Sequence, residues 1–258
     1  MKIRLTVVLL LLFVAVSYAQ TGRAPVYVLV HGAWHGGWCW QKVSTKLRSQ
    51  GSIVYTPTLG GLGEYKDVPH EGINLDTHIS EIVNLLEMED LHDVVLVGHS
   101  YGGLVIAGVA DRIPERLSKL VFLDAMLADN GQSLLSLLPA EGQASFAKTA
   151  EPYKMVSAPS LPLEAFGLGK ELQPWVAKRI TLQPYKTLTQ PLVLKHPFGN
   201  HLPLVYIACT KPQAPFFKTF SEKAKASPDW KYYELVTGHD AMLTAPDDLT
   251  SLLTSIAK

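Results

Sequence analysis

Cysteine is scarce in this chain, neither sign of charge is in excess, and the one long apolar run is short for a membrane span. There are two cysteines, Cys39 and Cys209, in 258 residues. Both sit in apolar contexts without C-x-x-C or Cys/His spacing, which excludes a disulfide scaffold and a zinc site. They read as buried free thiols, although export would permit a disulfide. Lys+Arg and Asp+Glu number 23 each. With no polybasic run, the electrostatic footprint of a nucleic-acid partner is missing. No internal repeat, low-complexity linker or G-x-x-x-x-G-K-[ST] phosphate loop occurs. The apolar stretch Leu5 to Val16 has 12 residues, against ~20 for a span. Lys2 and Arg4 precede it and Ser17-Tyr18-Ala19 follows. Residues 1–19 therefore read as a secretory signal peptide, with a mature chain from Gln20 that is periplasmic or secreted and not membrane-inserted. An uncleaved anchor is the rival reading.

What is present is an alternation of short apolar strands and helical patterns, which predicts an α/β fold with a mostly parallel sheet flanked by helices. Strands are expected at Val26–Val30, Ser52–Tyr55, Asp93–Val97, Lys119–Leu123, Leu204–Ala208 and Lys231–Val236. Helices are expected over Trp38–Ser49, from an Asp76 N-cap to about Met88, over Gly103–Ala110 and over Asp247–Ala257. The stretch from about 126 to 202 breaks the rhythm. It reads as an inserted cap within the single domain 20–258, lying over the C-terminal edge of the sheet, where ligands bind in open α/β folds.

Gly98-His99-Ser100-Tyr101-Gly102 is the most informative segment. It fits G-x-S-x-G between a β-branched strand and a buried helix. A serine on so sharp a turn is strained, and side chains at Gly98 or Gly102 would collide. The turn lifts the Ser100 hydroxyl clear of the sheet, beside the amides of a helix N-terminus. A serine alcohol needs a base, and histidine is the usual one. Of nine histidines, His239 follows the last strand, at the edge that also carries Ser100. His31 and His35 lie at that edge as well. His99 is expected to face away from the reacting side. His70, His78 and His92 read as solvated, and His196 and His201 as possible pocket residues at the end of the insertion.

The segment His31-Gly32-Ala33-Trp34-His35-Gly36-Gly37-Trp38 follows the first strand. Such a loop can aim a backbone N–H at a developing oxyanion, opposite the N–H of the residue after the nucleophile. The two donors are then Ala33 and Tyr101. The glycines argue against a helical His31/His35 metal pair, and no metal site is expected.

The elbow, the H-G-A-W loop and the late G-H-D-A-M segment together resemble the α/β-hydrolase superfamily. Within it the chain looks like the small carboxylesterases related to plant methylesterases and hydroxynitrile lyases, from about Pro25 to the end. The resemblance implies a Ser–His–acid triad, an acyl-enzyme and no cofactor. The sequence departs from those relatives at the acid. They carry an aspartate after the penultimate strand, where this chain reads Cys209-Thr210-Lys211-Pro212-Gln213-Ala214. Another superfamily route places the acid after the strand that follows the nucleophile helix, which selects Asp124. Asp240 and Glu222 are weaker candidates, and Asp124 could instead cap a helix or bind loop amides. The related lyases carry threonine where this chain has Gly32, and lysine after the catalytic histidine where it has Asp240. Both differences favour hydrolysis. Leu134, Leu135, Leu137, Leu138, Phe146, Phe166 and Trp175 of the insertion are candidates for a pocket wall, and Trp34 stands beside the oxyanion loop. Trp34 and Trp175 are the expected substrate-binding residues. The expectation is an exported serine carboxylesterase for small apolar or aromatic esters. Cyanohydrin cleavage, peroxide-dependent oxidation and ligand binding with little turnover are the alternatives.

Overall fold

The computed structural model describes residues 23–258. The segment read as a signal peptide lies outside the described residues. In chain order the main domain runs β1 (Val26–Val30), α1 (Gln41–Ser49), β2 (Ile53–Tyr55), α2 (Leu75–Met88), β3 (Val94–His99), α3 (Gly102–Arg112) and β4 (Leu117–Leu123). The chain then leaves the sheet through α4 (Ala140–Ala150), β5 (Ser157–Ala158), α5 (Gln173–Ala177), β6 (Gln183–Pro184) and α6 (Tyr185–Thr189). It returns as β7 (Leu204–Cys209), α7 (Pro215–Ala226), β8 (Trp230–Leu235), α8 (Ala241–Thr244) and α9 (Pro246–Ala257).

Six strands form one sheet in the order β2-β1-β3-β4-β7-β8, and every pair is parallel. The α/β reading with flanking helices therefore holds. The inner strands are buried on both faces: all of β1 and β3 is buried, whereas the edge strands β2 and β8 are partly exposed. This is why the inner strands read as continuous β-branched runs rather than alternating ones. β4 and β7 are neighbours in the sheet, so everything between them is an excursion from it. The excursion carries its own two-stranded sheet, β5 antiparallel to β6. Among the described residues no helix is long and apolar enough to cross a membrane.

Two local expectations need correcting. The N-cap of α2 is Asn74, not Asp76. Asn74 accepts from the Thr77 N–H, and Thr77 answers with its hydroxyl at the Asn74 N–H. A short amide side chain two residues upstream thus satisfies the orphan donors, and Asp76 falls in the first turn. His70 and His78 are buried rather than solvated. His70 spans Ser157 (2.8 Å) and Gly61 O (2.9 Å), while His78 spans the Tyr101 hydroxyl and Gly60 O, each at 3.0 Å. Both serve as fasteners between distant segments. Cys39 and Cys209 are free and buried.

Candidate active site

Three loops meet at the C-terminal edge of the sheet, after β1, β3 and β8, and a fourth arrives after β4. Each of the first, second and fourth carries a non-glycine residue at positive φ: Trp34 (64°), Ser100 (54°) and Asp124 (39°). Such conformations cost about 1–3 kcal/mol each and persist only where the surroundings over-determine them.

Ser100 owes its conformation to close packing on both sides. A Cβ on Gly98 would lie 2.6 Å from Gly102 O, and one on Gly102 would lie 3.0 Å from both Val30 O and His31 O. The Ser100 N–H donates to Leu123 O (3.2 Å), and the Ser100 carbonyl accepts from the Gly103 N–H (3.0 Å) and the Met126 N–H (3.1 Å). The elbow is thereby tied to the end of β4 and to the first turn of α3. Ser100 is buried, 8% exposed.

His239 Nδ1–H donates to Asp124 Oδ2 at 2.7 Å. The other Asp124 oxygen accepts from the Cys209 N–H (3.2 Å), at the end of β7. The segment after β7 thus contributes an amide to the carboxylate instead of a carboxylate of its own. The neutral ring carries its proton on Nδ1, leaving the Nε2 lone pair free. Phe217 of α7 stacks on one side of the ring (centroids 4.2 Å, 24°), and His99 packs at 4.5 Å and 42°. His99 Nε2–H donates to His239 O at 3.0 Å. The residue preceding Ser100 therefore touches the His239 loop directly. Burial drives the His99 pKa well below the usual imidazole value, and the nearby His239 and His35 add to that.

Ala33 and Tyr101, both buried, lie on either side of the elbow, Ala33 after β1 and Tyr101 after Ser100. Among the described residues neither N–H has a protein acceptor. Gly32 is enforced by contact, because a Cβ there would lie 2.9 Å from both His99 Nδ1 and Ser100 Cβ.

The excursion between β4 and β7 is fastened onto these loops. Trp34 N–H donates to Gln183 Oε1 (2.8 Å), Trp34 Nε1–H to Ala158 O (3.2 Å), and Asp240 N–H to Phe166 O (3.1 Å). A Cβ on Gly238 would lie 2.5 Å from Gly167 O, so backbone meets backbone there. Trp34 stacks with Phe146 and tilts against Phe166, each at 6.2 Å. Trp175 lies edge-on to Trp38 (5.3 Å), which in turn stacks on His35 (5.3 Å), and the Arg179 guanidinium sits 4.0 Å above the Trp175 ring.

Ser100, His239, Asp124, Ala33, Tyr101 and Trp34 are thus brought to one edge, and Trp175 joins them at one remove, through Trp38 and His35. Phe217 and Gln183 were not anticipated. Helix α7 begins at Pro215, which marks Phe217 as the first inward position after β7. Nothing local marks Gln183. Among the described residues one grouping has metal-like spacing: His99, His239 and Asp240 offer ligand atoms within 4.8 Å of one another. Each is already engaged, His239 with Asp124, His99 with His239 O, and Asp240 with His35 Nε2 (3.1 Å). The donor set fits a hydrogen-bond network.

A model of the alpha/beta hydrolase family matches residues 27–252. The carbendazim hydrolyzing esterase of Nocardioides sp. (strain SG-4G) is 37% identical over 239 residues, covering 89% of this chain and 98% of that protein. Methylesterase 8 of Arabidopsis thaliana is 29% identical over 180 residues, covering 66% of this chain and 60% of the relative. Among solved structures, an extracellular alpha/beta-hydrolase from a Paenibacillus species superposes with a TM-score of 0.78 at 26% identity. It covers 90% of this chain and 98% of its own, and is described as sharing structural and functional homology with tobacco salicylic acid binding protein 2.

Proposed function

The chain belongs to the alpha/beta hydrolase family, and on that premise we propose that it is an exported serine carboxylesterase for small apolar or aromatic esters. Ser100 Oγ attacks the ester carbonyl carbon as His239 Nε2 takes the hydroxyl proton. Asp124 holds the ring in the required tautomer and stabilises the imidazolium. The Ala33 and Tyr101 N–H groups hold the tetrahedral oxyanion, each worth ~3 kcal/mol in such sites. Collapse of the tetrahedral species breaks the bond to the alcohol oxygen, which takes the proton from His239 and leaves an acyl group on Ser100. Water, deprotonated by His239, then attacks the acyl carbon, and the acid departs as Ser100 regains its proton.

The observation that carries this reading is the 2.7 Å bond between His239 Nδ1 and Asp124 Oδ2, buried at the edge where Ser100 stands at φ 54°. The group of Trp34, Phe146 and Phe166 supports an apolar or aromatic substrate. The esterase and methylesterase names of the relatives support ester hydrolysis. Export rests on the pattern of residues 1–19. Cyanohydrin cleavage is disfavoured by Gly32: the threonine of the related lyases would need room where a Cβ already meets Ser100 Cβ at 2.9 Å. The test is hydrolysis of p-nitrophenyl butyrate by the mature chain, 20–258, beside its Ser100→Ala variant. Turnover lost in the variant supports the reading, and equal turnover in both removes it.

A further inference from the structure

The peptides around Ala33 are pinned by buried imidazoles. His31 Nε2 accepts from the Leu59 N–H at 3.0 Å, so the ring proton lies on Nδ1, which donates to Gly32 O at 2.8 Å. In a trans peptide the next N–H points opposite the carbonyl. Holding Gly32 O towards His31 therefore aims the Ala33 N–H the other way. Burial pushes the His31 pKa down to about 3, which keeps this tautomer through the working pH range. At the next peptide, His35 Nδ1–H donates to Ala33 O at 2.8 Å, while Trp34 N–H is held by Gln183.

His35 reaches further. Its Nε2–H donates to Asp240 Oδ2 at 3.1 Å, and the two side chains are 1% and 0% exposed. Both ring nitrogens face acceptors, and only the doubly protonated ring satisfies both. The surroundings agree. Trp38 stacks on the ring at 5.3 Å, Phe166 meets it edge-on at 5.3 Å, and His99 meets it edge-on at 6.3 Å and is neutral. Burial by itself would lower the His35 pKa. The Asp240 charge, with the bonds to Asp240 and Ala33 O, outweighs it and raises the value. The second Asp240 oxygen lies 3.8 Å from His99 Nε2 and has no hydrogen-bond partner among the described residues; with His99 neutral, His35 is the charged group that offsets this carboxylate.

We propose that the buried His35–Asp240 pair is a positioning device for the oxyanion site. His35 fixes the Ala33 carbonyl, in the peptide that follows the donor peptide, so that with His31 on Gly32 O both peptides flanking the Ala33 Cα are held, and Asp240, adjacent to His239, ties this segment to the loop of the base. One rigid bridge then sets the distance between oxyanion donor and proton acceptor. The inference rests on the serine esterase reading given above.

The test measures kcat, KM and thermal midpoint for wild type, His35→Gln, Asp240→Asn and Ser100→Ala with p-nitrophenyl butyrate. Glutamine keeps a donor near the Nε2 position but cannot reach Ala33 O, and asparagine removes the charge that holds His35 doubly protonated. For both variants kcat should fall about 10- to 100-fold with KM within about twofold, since the lost alignment acts in the transition state. A lowered thermal midpoint with kcat unchanged would reduce the pair to a structural tie and overturn the proposal. Wild type without turnover, or Ser100→Ala as active as wild type, would overturn the esterase reading, and the proposal with it. Should both variants fail to fold, ¹⁵N NMR of the wild-type imidazoles at pH 7 decides. Two protonated nitrogens on His35 are expected, and a singly protonated ring overturns the proposal.

Discussion

Helices α3 and α4 are both eleven residues long, yet they live in opposite conditions. Ten residues of α3 are buried, against one, Ala150, in α4. α3 runs behind Ser100 in the middle of the layered core. α4 belongs to the excursion above the site and reaches it through Phe146, which stacks on Trp34. The contrast separates two tasks. The base of the site must not move, because strained φ values at Ser100 and Asp124 are sustained by packing. In the roof, helix α4 has little buried surface to lose, although the rest of the excursion is fastened to the site through Trp34, Phe166 and Gly167. Ser100 is 8% and His239 4% exposed, so the reacting groups lie beneath the excursion rather than at the surface.

This comparison can be broken from either side. The largest effect is expected in the base of the site. Asp124→Asn should keep the fold but leave His239 in the wrong tautomer, lowering kcat/KM by about 10³- to 10⁴-fold. Steady-state kinetics beside circular dichroism checks this, and a loss under tenfold would remove Asp124 as the acid.

Acid should attack the base next. Burial holds the pKa of His31 at about 3 and of His78 at about 4, and that of His99 well below normal. Each ring is neutral when folded and charges near pH 6.5 when unfolded. The unfolded chain therefore binds more protons between about pH 6.5 and 3, and stability falls as the pH drops through that window. His35 has the opposite sign. Its raised pKa supports the fold at lower pH, and that support is lost as pH rises through the folded value. Unfolding free energies from urea titrations at pH 7 and 4.5 should differ by several kcal/mol, on the order of one to three per neutral ring. Equal free energies would mean these rings charge in the folded chain at no cost.

A smaller effect is expected at the back of α3. A Cβ on Gly108 would lie 2.3 Å from Ile79 Cδ1 and 2.8 Å from its Cγ1, so Gly108→Ala should cost about 1–3 kcal/mol by overpacking. Activity per folded molecule should be unchanged. The smallest effect belongs to the roof. Phe146→Ala should leave the thermal midpoint within a few degrees while raising KM for an aromatic ester a few-fold. The reverse pattern would make α4 part of the core.

What the sequence revealed followed the same division. Inner strands such as Val94–His99 are legible because burial on both faces leaves a continuous apolar run, and the elbow is legible because steric closure admits only glycine around Ser100. Asp124 was reachable as a candidate because it ends a recognisable strand and the family resemblance allows an acid there; its contact with His239 is what the fold adds. The misreadings concern long-range polar pairing. His70 looked solvated until Ser157, 87 residues on, arrived beside it. Asp240 was weighed against its neighbour His239, whereas its partner is His35, 205 residues away. No local pattern encodes such bonds, since each depends on two loops folded to one edge. Phe217 was hidden in a segment read only for its missing carboxylate.

In the proposed reaction Ser100 is a nucleophile activated by His239. The direct measurement is mass-spectrometric mapping after reaction with a fluorophosphonate, in wild type and in His239→Ala. The expected result is a single adduct on the peptide containing Ser100, formed at least about a hundredfold more slowly in the variant. An adduct on another residue, or labelling of Ser100 that is equally fast without His239, would contradict it.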